Sequence, residues 1–187
     1  MLAVMDELRY TERVAVARLH ALLELLPTAL DRELATTGVT SFEFTLLEAL
    51  HEADAGRLRL TALATRTNSS LPRLSRVVTS LERKGFVRRA PCAEDGRATN
   101  AILTPAGEDA FTASHPVYNK AVRGMILNDL DEEEVGQLAD LSLSILHKLD
   151  PQGRFGITTD TACAADPAPG SAAQDSPECP ADPVRAP

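Results

Sequence analysis

The sequence predicts a mainly α-helical fold in which a helix-turn-helix and a β-hairpin lie between long amphipathic helices. Three observations carry that prediction. Apolar residues recur at spacings of three and four over most of the first 150 residues, as helices with one buried face require. The pattern changes over residues 86–103, where two short β-prone runs flank a glycine-containing turn. Of the 187 residues 44% are hydrophobic but only 4% aromatic, with no tryptophan, so the core must be aliphatic and leucine-rich helices are the natural way to build it.

Each element has its own signals. Leu19, Leu22, Leu23, Leu26 and Leu30 mark a helix over residues 8–34, which Pro27 is expected to kink or divide, and Gly38 fits a stop. Thr40-Ser41-Phe42-Glu43 reads as a capping box that starts a second helix with Phe44, Leu47 and Leu50 inward, ended by Gly56. Thr61 is placed to cap a short third helix over 62–67. Asn68 then suits a left-handed turn, and Ser69 or Ser70 the next N-cap.

The fourth helix, about residues 71–84, is the most informative. At about 100° per residue, Leu74, Val77, Val78 and Leu81 share one arc, which must be buried. Pro72, Ser75, Arg76, Thr79 and Arg83 share the opposite arc, with Arg73 and Ser80 at its margin, and no acid falls there. Gly85 ends the helix. Residues 86–89 and 100–103 read as two strands joined by the turn at 93–97. Thr104-Pro105 starts a fifth helix by the cap-then-proline rule, running to about residue 128. Asp131, followed by three glutamates that complement the helix dipole, opens a sixth. Its stripe of Val135, Leu138, Leu141, Ile145 and Leu149 needs a partner, and Leu138, Leu141 and Ile145 are the candidate dimerisation residues.

Residues 1–150 are therefore expected to form one domain. The segment 151–187 holds seven of the 12 prolines and almost nothing large and apolar after Ile157, so it is expected to be a disordered tail. Charge is distributed unevenly. The chain carries a net charge of -8, yet between Arg57 and Pro105 ten basic residues face three acidic ones, a net of +7 that leaves -15 for the remainder. A concentrated basic module that coincides with a helix-turn-helix and a hairpin is the electrostatic footprint of DNA binding.

The runs Leu63-Ala64, Ser75-Arg76-Val77-Val78, residues 81–89, Asp95-Gly96-Arg97 and Leu103-Thr104-Pro105-Ala106-Gly107 closely resemble the multiple-antibiotic-resistance regulator (MarR) family of bacterial winged-helix repressors. The resemblance covers about residues 8–149 and not the tail. It implies a winged helix-turn-helix with N- and C-terminal dimerisation helices: a DNA-binding lobe over about 57–105, and dimer helices over 8–37 and 105–150. It further implies that the fourth helix enters a major groove and that Arg97 reaches into the adjacent minor groove. A small, often aromatic or phenolic effector, not identifiable here, is expected between helices one, two and five.

The chemistry of the residues agrees with that picture. Arginine pairs bidentately with guanine and hydroxyls accept several bases, so Arg76 is the first candidate for base readout. Arg73, Ser75 and Ser70 follow, with Ser69 and Thr79 completing the recognition-helix set. In the wing, Arg89 and Arg97 are candidate DNA contacts, and Asp95 is expected to pair with a neighbouring arginine and hold the wing in shape. The expected partners are a pseudo-palindromic double-stranded operator and a second copy of the chain.

Other functional classes find little support. No apolar run approaches the ~18 residues that span a bilayer and no signal-peptide order is present, so a cytoplasmic protein without membrane partners is expected. His20, His51, His115 and His147 lack the spacing of metal ligands. No catalytic set, metal site or cofactor motif emerges, and the protein is not expected to be an enzyme. The three cysteines form no disulfide framework or zinc pattern. Cys92, beside Arg88 and Arg89, could be a reactive thiol, but it is assigned a structural or incidental place, and Cys163 and Cys179 are read as incidental. The alternatives to a ligand-responsive regulator are a winged-helix interaction module without DNA binding and a redox-responsive regulator acting through Cys92.

Overall fold

Helix α1 (Tyr10–Leu34) is followed by α2 (Ser41–His51), strand β1 (Arg57–Arg59), α3 (Leu60–Arg66), α4 (Leu71–Arg83), β2 (Val87–Pro91), β3 (Thr99–Leu103), α5 (Pro105–Val122) and α6 (Glu132–Leu149). The structure, a computed structural model, describes residues 7–92, 98–151 and 153. Asp95, Arg97, Cys163 and Cys179, and with them nearly all of the expected tail, lie outside the described residues.

The local signals act as their chemistry requires. Thr40 and Glu43 form the reciprocal capping box of α2, and Asp131 and Glu134 that of α6. Asn68 adopts φ +51° in the tight turn between α3 and α4, and Gly85 takes φ +76° after α4. The Thr104-Pro105-Ala106-Gly107 segment is a joint. Thr104 Oγ1 accepts from Gly107 N at 3.0 Å and sits 2.6 Å from Gly85 O, while Thr104 N donates to Phe86 O. Gly107 brings the α5 backbone so close that a Cβ there would lie 2.1 Å from Phe86 O.

Of the kink or division expected at Pro27, the division does not occur; Leu23, whose carbonyl it cannot serve, and Pro27 itself are exposed, so water can take the vacant bond. Three expectations need correction. α2 ends at His51, and Gly56 instead closes a separate 3₁₀ turn. α3 begins at Leu60 with Arg59 at its N-cap, not after Thr61. The hairpin gains a third strand, because β1 pairs antiparallel with β3 and gives the order β1-β3-β2.

Phe44, Leu46, Leu47 and Leu50 of α2 meet Leu63 of α3 and Leu74, Val78 and Leu81 of α4 in one core, closed by Val87, Ala101 and Phe111. Val77 is only half-buried. Phe44 stacks on Phe111 at 5.6 Å and on Tyr118 at 4.2 Å, fixing α2 against α5. A π-helical turn, Arg123–Leu127, follows α5. Helix α6 buries no residue in its own chain, and Val135, Leu138, Leu141, Ile145 and Leu149 are all exposed. Much of α1 is equally bare: Leu22, Leu23 and Leu25 are exposed, and only Leu30 and Leu34 enter the core. No helix among the described residues is long and apolar enough to cross a membrane.

Candidate nucleic-acid interface

Helix α4 presents the face that its periodicity predicts, although its side chains are committed in different ways. Arg76 is exposed, and its Nε makes only a long 3.4 Å bond to Pro72 O one turn earlier. Arg73 is exposed too, but its guanidinium lies 4.3 Å above the Phe42 ring, a cation-π contact that ties it to α2. Ser70 stands exposed at the N-cap of α4, and its hydroxyl makes no capping bond there. Ser69, by contrast, is buried, its N–H donating to Ala64 O at 2.9 Å and its hydroxyl to Ser70 O. The tight turn that Asn68 allows folds Ser69 inward, so its hydroxyl is not on the outer surface.

Arg89 joins the wing to the helix. Its guanidinium donates to Ser75 O at 2.8 Å, Ser75 Oγ at 3.3 Å and Thr79 Oγ1 at 3.1 Å, and it forms an ion pair with Glu82. The Glu82 carboxylate also accepts from Arg89 N at 3.0 Å. Thus Ser75, Thr79 and Arg89, read from sequence as three separate contacts, form one network that holds β2 against α4. Glu82 was passed over in the sequence because it falls off the exposed arc.

A second clamp fixes the other end of α4. Glu43, buried in the first turn of α2, accepts from Lys84 Nζ at 2.6 Å, Ser80 Oγ at 3.0 Å and Thr40 N at 2.9 Å. Burial pushes its carboxyl up, but Lys84, the Thr40 N–H and Ser80 outweigh it and hold the group below the usual carboxylate range. The capping box signalled Glu43's place in α2. Its grip on α4 spans some forty positions and left no mark in the sequence.

Away from α4, a cleft of about 540 Å³ is lined by Glu33 of α1, by Pro116, Val117, Lys120 and Ala121 of α5, and by Gly124 and Met125. Helix α2 does not line it. Cys92, just past β2, is buried and disulfide-bonded, so of the structural or incidental place expected for its thiol it takes the structural one, through a single bond rather than a framework. Spacing rules detect ligand pairs and compact frameworks, and a bond to a remote cysteine leaves no spacing to read.

The MarR family model matches residues 39–99, from the cap of α2 to the start of β3. Sco3205, a MarR family transcriptional regulator from Streptomyces coelicolor solved in complex with DNA, is 31% identical, with a TM-score of 0.75 over 78% of this chain and 96% of that one. The chain belongs to the MarR family of transcriptional regulators. AbsC, a MarR family regulator from the same organism, is 30% identical with a TM-score of 0.74, over 79% of this chain and 99% of that one. A more distant likeness, at 16% identity and a TM-score of 0.66, is to the organohalide-sensing regulator RdhR-CbdbA1625 in its 2,4-dichlorophenol-bound form, over 81% of this chain and 92% of that one. At that distance it bears on fold alone. The fold of this MarR family member is the winged helix-turn-helix, and the family consists of transcription regulators rather than enzymes.

Proposed function

We propose that the protein is a homodimeric, sequence-specific DNA-binding repressor that a small molecule releases from its operator. The observation that carries this reading is the outer face of α4, which holds Arg76, Ser70, Thr79 and Arg83 exposed and no acid. Arg76 reads a base edge in the major groove, Ser70 and the helix N-terminus take a phosphate, and Arg73 steadies the approach from its seat on Phe42. Ser75, Thr79 and Arg89 act chiefly by fixing the angle between wing and helix. Arg97, outside the described residues, keeps the minor-groove role that the resemblance implies, with Asp95 as its support.

The DNA-binding lobe spans about residues 57–105, and residues 8–37 and 105–150 form the dimer. The exposed leucines of α1 and the Leu138, Leu141 and Ile145 stripe of α6 support this assembly, since so much bare apolar surface is unusual on a soluble monomer. The cleft between α1 and α5 is where an effector could act on the spacing of the two lobes. That Sco3205 was solved with DNA favours the DNA reading over an interaction module. The test is titration of the purified protein against its own upstream region, followed by a screen for compounds that release the fragment. A protein that retards no specific fragment would leave the interaction-module reading in place.

A further inference from the structure

The three-stranded sheet has two unlike faces. Leu58, Val87, Ala101 and Leu103 point into the core, so their neighbours along each strand point the other way. The register sets Arg57 and Arg88 on either side of Ile102, and Arg59 and Ala90 on either side of Asn100. Cys92 continues the Arg88, Ala90 series onto this outer face, where Arg59 Nη2 lies 3.5 Å from its sulfur. Three guanidinium groups and one sulfur therefore share a face that recognition helix α4 does not use. Cys92, Asn100 and Ile102 are buried even though they point away from the core. The Arg57 Nε is also buried and has no hydrogen-bond partner among the described residues.

We propose that this outer face is the docking surface of the chain's own acidic segment 154–187, fastened by a disulfide from Cys92 to Cys163 or Cys179, and that the fastened form binds DNA less well. The sequence supplies one occupant that fits. Besides Cys92, the only cysteines are these two, and both lie in that segment. It carries five carboxylates, Asp160, Asp166, Asp175, Glu178 and Asp182, against Arg154 and Arg185, and so complements the three arginines. Its reach suffices: Cys163 is ten residues beyond Gly153, an extended span of roughly 33–36 Å. A segment of this composition builds no core of its own, so any order it gains has to come from a surface outside it.

Proteins that act on chromosomal DNA share a reducing compartment, where a disulfide is usually transient and redox-sensing. A hydroperoxide supplies the oxidation. One thiolate attacks a peroxide oxygen to give a sulfenic acid and releases an alcohol or water; the second thiolate displaces the hydroxyl as water once protonated. The two sulfurs lose two electrons and the peroxide gains them. Thiol exchange with a reduced dithiol reverses the bond. Fastening brings the carboxylates beside the β2–β3 hairpin, and there they oppose the phosphate backbone. This last step rests on the DNA-binding reading.

The full chain, oxidised with hydrogen peroxide, alkylated and digested with trypsin, separates the outcomes. Trypsin releases Cys92 within residues 90–97 and both distal cysteines within 155–185, and an Asp-directed protease then divides Cys163 from Cys179. Those two peptides should appear linked, and reduction should part them. Operator titration of the same samples should show affinity rising several-fold on reduction, with C163S/C179S already at the reduced value and insensitive to peroxide. R57Q/R88Q should lower the yield of linked peptide at a fixed peroxide dose. Cys92 recovered alkylated, a bond joining Cys163 to Cys179, or a covalent dimer through Cys92 would overturn the proposal. So would an unchanged yield in R57Q/R88Q, or equal DNA affinity of the linked and reduced forms. If the link forms as described and neither form binds any DNA, the regulator reading fails while the docking stands.

Discussion

Arg76 on α4 and Arg89 on β2 are both arginines of the basic lobe, and their surroundings give them different work. Arg76 has no carboxylate partner among the described residues, whereas Arg89 is occupied by Glu82, Ser75 and Thr79. Arg76→Ala should therefore cost about 1–3 kcal/mol per half-site and relax preference at one base position, with the melting temperature nearly unchanged. Arg89→Ala should lower the melting temperature and weaken all sequences alike, because Glu82 loses its partner and β2 loses its tie to α4. Operator titration beside thermal denaturation checks both. A pure binding loss in Arg89→Ala would return that residue to the DNA surface. Glu43 supplies a pH signature at the same scale. Its folded carboxyl lies below its unfolded value of about 4.3, so its contribution to stability is present above that pH and fades as pH falls through the folded value. Stability curves from pH 7 to 3 should steepen below about 4.3, and Glu43→Gln should flatten that step while lowering stability at neutral pH.

Among the elements, the joint between β3 and α5 is the least tolerant. A Cβ at Gly107 would meet the Phe86 carbonyl oxygen at 2.1 Å, and the obstacle is backbone, not a side chain that can swing away. Gly107→Ala should thus destabilise by about 1–3 kcal/mol or more and loosen the wing, which chemical denaturation would measure. A stability equal to wild type would show that the strand–helix joint opens easily. The Leu-Thr-Pro-Ala-Gly run is a recognisable motif because three of its residues have duties that their type alone announces: a cap at Thr104, a fixed φ at Pro105, a missing Cβ at Gly107. Legibility follows that logic throughout. The capping box at Thr40, the Asp131 cap and the turn at Asn68 were readable because their partners lie within four residues. β1 was not, since three residues with two arginines carry no alternation, and only pairing with β3 some forty residues on makes them a strand. The inward turn of Ser69, the seat of Arg73 on Phe42 and the Glu43–Lys84 clamp were hidden for the same reason.

At the scale of the whole molecule, the apolar flanks and the basic lobe make a joint prediction. Leu141 is 66% exposed and Ile145 43% exposed in the single chain, on a helix that buries nothing of its own. If a second copy covers them, Leu141→Asp places a charge in that interface and should yield monomer or aggregate, while the distant core of α2, α3 and α4 stays folded. Assembly and DNA binding are then linked: a two-fold dimer presents α4 twice, so its operator should be a pseudo-palindrome with half-sites about one helical turn apart. A folded Leu141→Asp monomer should bind a single half-site, with roughly half the salt slope of the dimer, because each neutralised phosphate contributes about -0.9 to the slope of log affinity against log salt. Sedimentation and operator titration at two salt concentrations measure both quantities on the same samples. A wild-type chain that sediments as a stable monomer at micromolar concentration, or a Leu141→Asp protein with the full dimer slope, would separate DNA binding from assembly. In that case the leucines of α1 and α6 would have to be explained by some surface other than a second copy.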